Sequence, residues 1–382
     1  MSAGYRPKVL LNASTIIKGG GVQAVVSFIH TLDAARQQDK IDWHLLVSSV
    51  VLLQMERLGL KLDPSKDSLL EASPSKNKAS RRFIKDYVNA KNIDAVFTFF
   101  GPAYVNFSVP HICGVADGWV THSDCEAYKK IPSWSQRVKM LLLCVYKGLW
   151  LRRADAWFVE QEAARQGLGS RLAIDKNAVH VIANNCAQHY LDYSGPALLE
   201  GDKTRILIFA SYYPNKNIES VPSIAKALQA QGYDNVEFVL TIDSEDAGLQ
   251  RVMAQAHQLS VGHCINNIGP VDVSDGPALY RSCQILLMPS VLETFSAVYP
   301  EAMAMGLPIV TTDKSFARAI CADAASYYIS DKPDDAAKAI ATLLSDQQAY
   351  EQLAAKGTKR LEDYPNADKK YQLLHDMVVK YT

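Results

Sequence analysis

The sequence predicts an α/β fold with two Rossmann-like domains that face one another across a cleft. Its 382 residues are too many for one ordinary hydrophobic core. Short apolar runs alternate with segments of helical periodicity, first up to about residue 185 and again after residue 203. Two such series with a break between them are typical of two domains, each built on a parallel sheet.

The break supplies the domain boundaries. We predict a first domain at residues 1–193, a linker at 194–203 and a second domain at 204–364. The linker contains Gly195, Pro196 and Gly201. An amphipathic helix at about 365–382 closes the chain, and we expect it to join the first domain.

The composition is that of an ordinary globular protein, with 48% hydrophobic and 21% charged residues. The formal net charge is +0, so the whole chain has no bias toward nucleic acid. Residues 1–190, however, contain 24 Lys and Arg against 16 Asp and Glu, and the rest carries the opposite excess. This asymmetry is either chance scatter or the mark of a domain that faces an anionic surface.

The seven cysteines include no CxxC pair, which predicts reduced thiols and neither a disulfide framework nor a zinc site. The first apolar run, residues 9–11, is too short for a signal-peptide core. Together these observations predict a cytoplasmic protein.

In the first domain, a strand at 9–11 leads into Gly19, Gly20 and Gly21 and then a helix at 22–32. Glycines allow the backbone to approach a ligand closely, although a plain tight turn has the same pattern. Residues 61–80 are polar and predict a mobile loop. The further strands are expected at 43–47, 95–100, 111–115, 156–159 and 179–182. The further helices are expected at 50–58, about 81–90, 133–151 and 162–168.

The helix at 133–151 has two interpretations. Its apolar residues recur at helical spacing, while its cations point in several directions around the axis. A helix on a membrane surface would gather its cations on one face. We therefore favour a helix packed into the core.

The second domain repeats the alternation. Strands are predicted at 205–209, 236–242, 266–268, 285–288 and 309–312. Helices are predicted at 218–231, 248–259, 278–282, 297–305, 336–344 and 349–361. The helix at 297–305 is expected to be capped by Thr294 or Ser296 and to end at Gly306.

Two carboxylates occupy one strand–loop–helix–strand unit of this domain. Glu293 lies in the loop after the strand at 285–288, and Glu301 lies on the following helix. Ligands of open α/β sheets bind at the carboxyl ends of the strands. Alone, the spacing is nonspecific, and the two residues could equally be a helix-start carboxylate and a surface residue.

The residues around them make the pattern specific. The stretch resembles the signature of the retaining glycosyltransferases of family four, which have the GT-B fold: Pro289, Ser290, Glu293, Thr294, Phe295, Ser296, Glu301, Ala302, Met303, Ala304, Gly306, Leu307 and Pro308. The resemblance covers nearly the whole chain, including the glycine loop, Asn184–Asn185, Leu279–Tyr280 and the run from Pro214 to Asn217.

The resemblance implies roles for single residues. Glu293 contacts the donor sugar, Glu301 accepts hydrogen bonds from the ribose, and Lys216 neutralises the diphosphate leaving group. Asp117, just past the strand at 111–115, is expected to orient the acceptor. The remaining expected donor-binding residues are Thr294, Phe295, Ser296, Gly20, Gly21 and Ser211.

Two positions depart from the family pattern. Ser211 stands where many members carry an Arg before the Lys, and Arg281 or the pair Arg81–Arg82 are candidates to replace it. Ala116 stands where many members carry a His, and His122 is offset from that position by six residues. A second diphosphate cation and a histidine at the reacting centre are therefore missing from their usual places.

The resemblance implies a retaining, metal-independent hexosyltransferase that uses a UDP- or GDP-linked sugar and no cofactor. The expected acceptor is a cell-surface polysaccharide or lipid-linked glycan, with peripheral contact between the basic first domain and the anionic inner face of the membrane. Nucleic acid is not an expected partner. Two alternatives are a catalytically silent protein that binds nucleotide sugars and an epimerase of the same fold.

Overall fold

The computed structural model describes residues 5–36 and 39–382. Residues 1–4 and 37–38, which the predicted first domain includes, lie outside the described residues. The chain divides into two compact units. Unit 1 comprises Met1–His122, Val138–Asn184 and Pro365–Thr382, and unit 2 comprises Ser123–Arg137 and Asn185–Tyr364.

The division differs in detail from the predicted boundaries. Unit 1 ends its main segment at Asn184, and the predicted linker, 194–203, lies within unit 2. The segment Ser123–Arg137 also belongs to unit 2, because Glu126 there binds Lys314 and Ser330. These are contacts between residues far apart in sequence, which local patterns do not reveal.

The strands are as follows in chain order: β1 (Lys8–Ala13), β2 (Asp42–Ser48), β3 (Ser68–Leu70), β4 (Ala95–Thr98), β5 (His111–Gly114), β6 (Ala156–Val159), β7 (Val179–Val181), β8 (Thr204–Ile208), β9 (Val236–Leu240), β10 (Ile265–Asn267), β11 (Ile285–Met288), β12 (Ile309–Thr312) and β13 (Ser326–Tyr328).

The α-helices of unit 1 and of the segment that crosses into unit 2 are α1 (Gly20–Ala35), α2 (Ser49–Arg57), α3 (Lys78–Ala90), α4 (Gly118–Thr121), α5 (Cys125–Lys129), α6 (Trp134–Leu151) and α7 (Glu162–Leu172). The remaining helices are α8 (Gln188–Leu191), α9 (Val221–Gln229), α10 (Ala247–Gln258), α11 (Gly276–Arg281), α12 (Val298–Ala304), α13 (Ser315–Cys321), α14 (Pro333–Ser345), α15 (Gln347–Leu361) and α16 (Ala367–Lys380).

Each unit contains one parallel sheet. The order in unit 1 is β3-β2-β1-β4-β5-β6-β7, and the order in unit 2 is β10-β9-β8-β11-β12-β13. In both sheets the strand order reverses direction at the first strand of the unit. The reversal leaves a crevice between β1 and β4 in unit 1 and between β8 and β11 in unit 2, the place where such sheets bind ligands.

The core of unit 1 includes one face of the closing helix. Tyr371, Leu374, Met377 and Val378 of α16 pack with α1 and the sheet. Asn366 starts α16 by accepting a hydrogen bond from the N–H of Lys369 at 2.8 Å. The apolar face of α16 predicted from the sequence is therefore buried in the core of unit 1.

The predicted loop at 61–80 is wrong in part, because β3 lies inside it and pairs with β2. Asp67 is buried there and accepts hydrogen bonds from the N–H of Leu45 at 2.9 Å and from Arg36 at 2.8 Å. A strand of three residues is too short for periodicity to detect. The carboxylate of Asp67, which binds two distant parts of the chain, holds this segment in place.

The predicted core position of α6 is also wrong. Of its residues only Gly148 and Leu151 are buried, and most of its large apolar side chains are exposed. Helical spacing of apolar residues shows that a helix has an apolar face, but not that anything covers that face. None of the helices in the described ranges is both long and apolar enough for a membrane crossing.

Candidate functional site

The predicted charged residues of the second domain meet at the crevice of unit 2. Lys216 follows β8 and Glu293 follows β11, and these strands are neighbours where the strand order reverses. The Nζ of Lys216 lies 2.7 Å from Oε1 of Glu293. Their side chains are 16% and 10% exposed, so the pair is largely shielded from water.

Asn215 holds the two loops together. Its side-chain amide donates to the carbonyl of Leu292 at 2.8 Å, and its own carbonyl accepts from the N–H of Val291 at 2.8 Å. Lys216 ends a single 3₁₀ turn, after which Asn217 adopts a left-handed conformation with φ 53°. Asn215 was named in the sequence only as part of the resemblance, and this bridge was not predicted.

Glu301 lies in a different environment on α12. Although the residue is only half-buried, its carboxyl group lies among tyrosines, and Tyr280 donates to Oε2 at 2.9 Å. Removal from water raises the pKa of Glu301 to about 7, while hydrogen bonds from Tyr280 and Tyr190 act in the opposite direction. The site therefore holds a carboxyl group that changes charge near neutral pH.

Tyr190 is a residue that sequence reasoning missed. It is buried at the end of the short helix α8 and packs edge-on against Tyr280, with ring centroids 5.6 Å apart. A side chain at Gly276 would clash with its hydroxyl, because a Cβ there would lie 2.2 Å away. Gly276 is thus the position that makes room for Tyr190 beside Glu301.

The loop residues between the two glutamates are mostly enclosed. Thr294 and Ser296 are buried, and the ring of Phe295 packs edge-on against Tyr364 at 5.8 Å. Helix α12 begins after Ala297 without a side-chain cap, so the predicted capping by Thr294 or Ser296 is wrong. Gly306 has φ 69° and follows the end of the helix, as predicted.

The position of the missing Arg is exposed. Ser211 lies in the loop after β8, and its neighbour Tyr212 contacts Glu219 and Arg251. Arg281 is exposed at the end of α11. Arg81 belongs to unit 1, where its guanidinium donates to the carbonyls of Pro74 and Ser75.

In unit 1 the glycine loop precedes α1. Gly19 has a positive φ, at 74°, whereas Gly20 and Gly21, the two glycines predicted to bind the donor, do not. Gly20 opens the helix, and a Cβ on it would meet nothing within 4 Å. A Cβ on Gly21 would lie 3.3 Å from the ring of Phe100, which follows β4 across the crevice. Gly21 therefore allows a close approach of helix and loop.

Asp117 follows β5 and has two structural partners. Its Oδ1 accepts from the N–H groups of Trp119 and Val120 at 3.1 and 3.4 Å, which starts the short helix α4. Its Oδ2 lies 2.6 Å from Nζ of Lys147. Ala116 beside it is exposed, and the ring Nδ1 of His122 lies 2.8 Å from the hydroxyl of Thr121.

No group of three or more His, Cys, Asp or Glu side chains in the described part of the chain is arranged to hold a metal ion. The Lys216–Glu293 pair and the Glu301 carboxyl group can instead bind a polar ligand. The ammonium suits anionic oxygens, and the carboxylates suit hydroxyl donors.

Known proteins are similar to parts of this sequence and to the fold of the chain. The model of the family Glycosyl transferases group 1 matches residues 193–360. This chain carries a group 1 glycosyltransferase domain. That domain contains Lys216, Glu293 and Glu301, whereas Asp117, Gly20 and Gly21 lie before it.

Two curated relatives match parts of the chain. The D-inositol 3-phosphate glycosyltransferase of Corynebacterium jeikeium is 29% identical over 93 residues, 24% of this chain. The serotype-specific mannosyltransferase WbdA of Escherichia coli is 30% identical over 164 residues, 40% of this chain. The matches span only 22% and 20% of the relatives' own lengths.

The likeness of fold extends over the whole chain. The crystal structure of Anabaena Alr3699/HepE in complex with UDP and glucose has a TM-score of 0.73 and 15% identity, and covers 98% of this chain and 100% of that one. The transferase domain thus belongs to a chain of the GT-B fold. This confirms the predicted class, α/β with two Rossmann-like domains, and also the resemblance to glycosyltransferases of the GT-B fold.

Proposed function

We propose that this protein transfers a sugar from a nucleotide-diphosphate donor to an acceptor hydroxyl with retention of configuration. The observation that carries the proposal is the Lys216–Glu293 pair at the crevice of a group 1 domain. A shielded cation after the first strand of the domain suits a leaving diphosphate, whose charge grows as the glycosidic bond breaks.

The chemistry follows from these side chains. The bond between the anomeric carbon and the diphosphate oxygen breaks, and the acceptor oxygen forms the new bond on the same face. The departing phosphate takes the acceptor proton, so no separate base is needed, and Ala116 is then compatible with turnover. Lys216 stabilises the diphosphate, and Glu293 accepts hydrogen bonds from the donor sugar.

Glu301 in unit 2 and Asp117 in unit 1 have further proposed roles. The carboxylate of Glu301 accepts hydrogen bonds from the ribose hydroxyls, while Tyr190 and Tyr280 hold it in place. Asp117 orients the acceptor, with Lys147 and the start of α4 fixing its side chain. The proposed reaction uses no metal ion, because Lys216 supplies the positive charge beside the diphosphate.

For the donor we propose a UDP- or GDP-linked hexose. The Anabaena structure contains UDP and glucose, and the relative from Escherichia coli is a mannosyltransferase, so both support a hexose. For the acceptor we propose a polysaccharide or lipid-linked glycan at the cytoplasmic face of the membrane. The excess of Lys and Arg over residues 1–190 supports a peripheral contact there.

One observation favours a second candidate, a silent protein that binds nucleotide sugars. Ser211, where the resemblance leads us to expect a second diphosphate cation, is an exposed neutral side chain. Binding would then persist with little stabilisation of the leaving group.

A donor panel separates these functions. The protein is incubated with UDP-, GDP- and dTDP-sugars, and free nucleotide and sugar products are quantified by chromatography. We expect slow release of free UDP or GDP, reduced by roughly 100-fold in Glu293→Gln because the variant loses a charged contact to the donor. Glu219→Gln, which removes a carboxylate paired with Arg251 in the same unit, is the matched control and should retain release.

Three results would contradict the proposal. Tight binding without release, even with acceptor glycans present, supports the silent protein. An isomerised sugar on intact nucleotide supports an epimerase. Unchanged release in Glu293→Gln removes Glu293 from the site.

A further inference from the structure

Helix α6 packs against the rest of unit 1 along one side only. Lys147 is paired with Asp117, and the hydroxyl of Tyr146 accepts from Arg81 of α3 at 3.1 Å. Gly148 lies against α7, since a Cβ there would be 2.7 Å from the side chain of Leu172. The side of the helix that packs on unit 1 therefore carries the buried Leu151 and Gly148 together with the charged Lys147.

Four of its large aliphatic side chains are exposed. Leu141, Leu142, Val145 and Leu149 are 53%, 64%, 55% and 57% exposed. At about 100° per residue they fall within one arc of roughly 100° on the helix surface. Four large aliphatic residues exposed by more than half on one helix face form an apolar patch of the kind that marks an interaction surface.

The charges in the segment that carries this patch have a single sign. Residues 129–153 contain seven Lys and Arg and no Asp or Glu. Lys139 and Arg152 are exposed beside the patch, and Arg153 lies over the ring of Trp150 at 4.5 Å. The neighbouring helix α3 adds the exposed side chains of Arg82, Lys85 and Asp86, two cations and one carboxylate.

The apolar patch and the cations around it together favour one kind of binding partner. A second copy of the chain would bring two cationic faces together, which like-charge repulsion opposes. A protein partner would usually meet a surface of mixed sign with polar groups at its rim. An anionic lipid surface accepts both features at once, because aliphatic side chains enter the interface and the cations meet the headgroups.

We propose that the outer face of α6, formed by Leu141, Leu142, Val145 and Leu149 with Lys139, Arg152 and Arg153 at its edges, docks this protein on an anionic lipid bilayer. The helix lies in the plane of the interface with its aliphatic side chains inserted. This names the surface for the membrane contact proposed above and rests on that proposal. Part of the excess of Lys and Arg over residues 1–190 lies on this surface.

Vesicle sedimentation of the full chain tests the surface. Phosphatidylcholine vesicles with and without about one-third phosphatidylglycerol are compared at low and high salt. We expect the wild type to bind the anionic vesicles preferentially, and salt to weaken this binding. The triple variant Leu141→Ser, Val145→Ser, Leu149→Ser should lose at least tenfold in partitioning, since three aliphatic side chains no longer insert.

Two further variants separate charge from insertion. Lys139→Gln with Arg152→Gln should lose about fivefold per cation on anionic vesicles at low salt and nothing on neutral ones. Val50→Ser with Leu53→Ser, which changes two exposed aliphatic residues on α2 of the same unit, is the matched control and should bind like the wild type. Thermal melts verify that each variant is folded.

The following results would contradict the proposed docking surface. Undiminished binding by the triple variant overturns the assignment of the surface, and equal binding to neutral vesicles overturns the role of charge. A wild type that ignores vesicles but forms a dimer that the triple variant dissociates assigns the face to a second copy. Nucleotide release without vesicles is measured in parallel, so failure of membrane docking and failure of the transferase proposal are seen separately.

Discussion

The two crevices where the sheets reverse their strand order have the same topology and different chemistry. In unit 2, Lys216 and Glu293 form a charged pair across the crevice. In unit 1, the hydroxyl of Thr15 donates to the carbonyl of Phe100 at 2.6 Å, and Gly21 packs against the ring of Phe100. Topology brings the two loops together in each sheet, but the side chains on them decide whether the crevice can bind an anion.

The carboxylates that follow strands show the same contrast. Glu293 pairs with Lys216, which lies on the loop after a neighbouring strand. Asp117 in unit 1 already starts a helix and pairs with Lys147. We therefore expect the largest losses of turnover from changes in unit 2 and smaller ones from unit 1.

The largest expected effect is that of Lys216→Met. Removing a charge-stabilising donor of this kind typically lowers turnover by about 10² to 10³. Initial rates of nucleotide release and the affinity for free UDP or GDP measure the effect. A variant within threefold of the wild type would show that the charged crevice is not the reacting centre.

The double variant Lys216→Met, Glu293→Gln tests whether the loss of turnover in Lys216→Met has an indirect cause. Removing only Lys216 leaves Glu293 shielded without its cation, which by itself can disturb the loop. If the loss arises from that disturbance, the double variant should release nucleotide as fast as Glu293→Gln alone. If Lys216 acts on the diphosphate, the double variant should be markedly slower than Glu293→Gln alone.

Glu301 is expected to produce an intermediate effect that depends on pH. Burial raises its pKa from 4.5 to about 7, so its contribution to stability is complete below about pH 4.5 and is lost as the pH rises toward 7. The ionised form accepts stronger hydrogen bonds from ribose, so nucleotide affinity should rise over the same range. Glu301→Gln should bind about tenfold more weakly at pH 8 and lose the part of each pH dependence that Glu301 contributes.

Calorimetric titrations with UDP or GDP at pH 6, 7 and 8 and urea melts at pH 5 and 7.5 measure both trends. Glu160 in unit 1 also has a pKa raised to about 7 by burial. The informative quantity is therefore the difference between wild type and Glu301→Gln at each pH. Identical pH profiles would remove Glu301 from the nucleotide site.

Asp117→Asn should have the smallest effect. Asn still caps α4, so the free energy of unfolding should fall by only about 0.5–1 kcal/mol through loss of the pair with Lys147. If Asp117 orients the acceptor, the acceptor KM should rise several-fold while kcat changes less. An unchanged KM in steady-state transfer assays, with the expected drop in a urea melt, would make Asp117 a structural residue only.

The sequence by itself determined the fold class and the charged loop of unit 2. Strand and helix periods are local properties, and Glu293, Thr294 and Phe295 lie in one continuous stretch, so both could be predicted without knowing any tertiary contact. The same holds for the closing helix, whose apolar face is complete within one segment.

Tertiary structure alone decided the surroundings of these elements. Asn215 joins two loops, and Tyr190 reaches Glu301 from far along the chain, so no local pattern shows either contact. Periodicity shows an apolar face on both α6 and α16. The face of α6 is exposed, whereas the face of α16 is buried. Periodicity reports how side chains are distributed around a helix, whereas burial depends on which other elements pack against it.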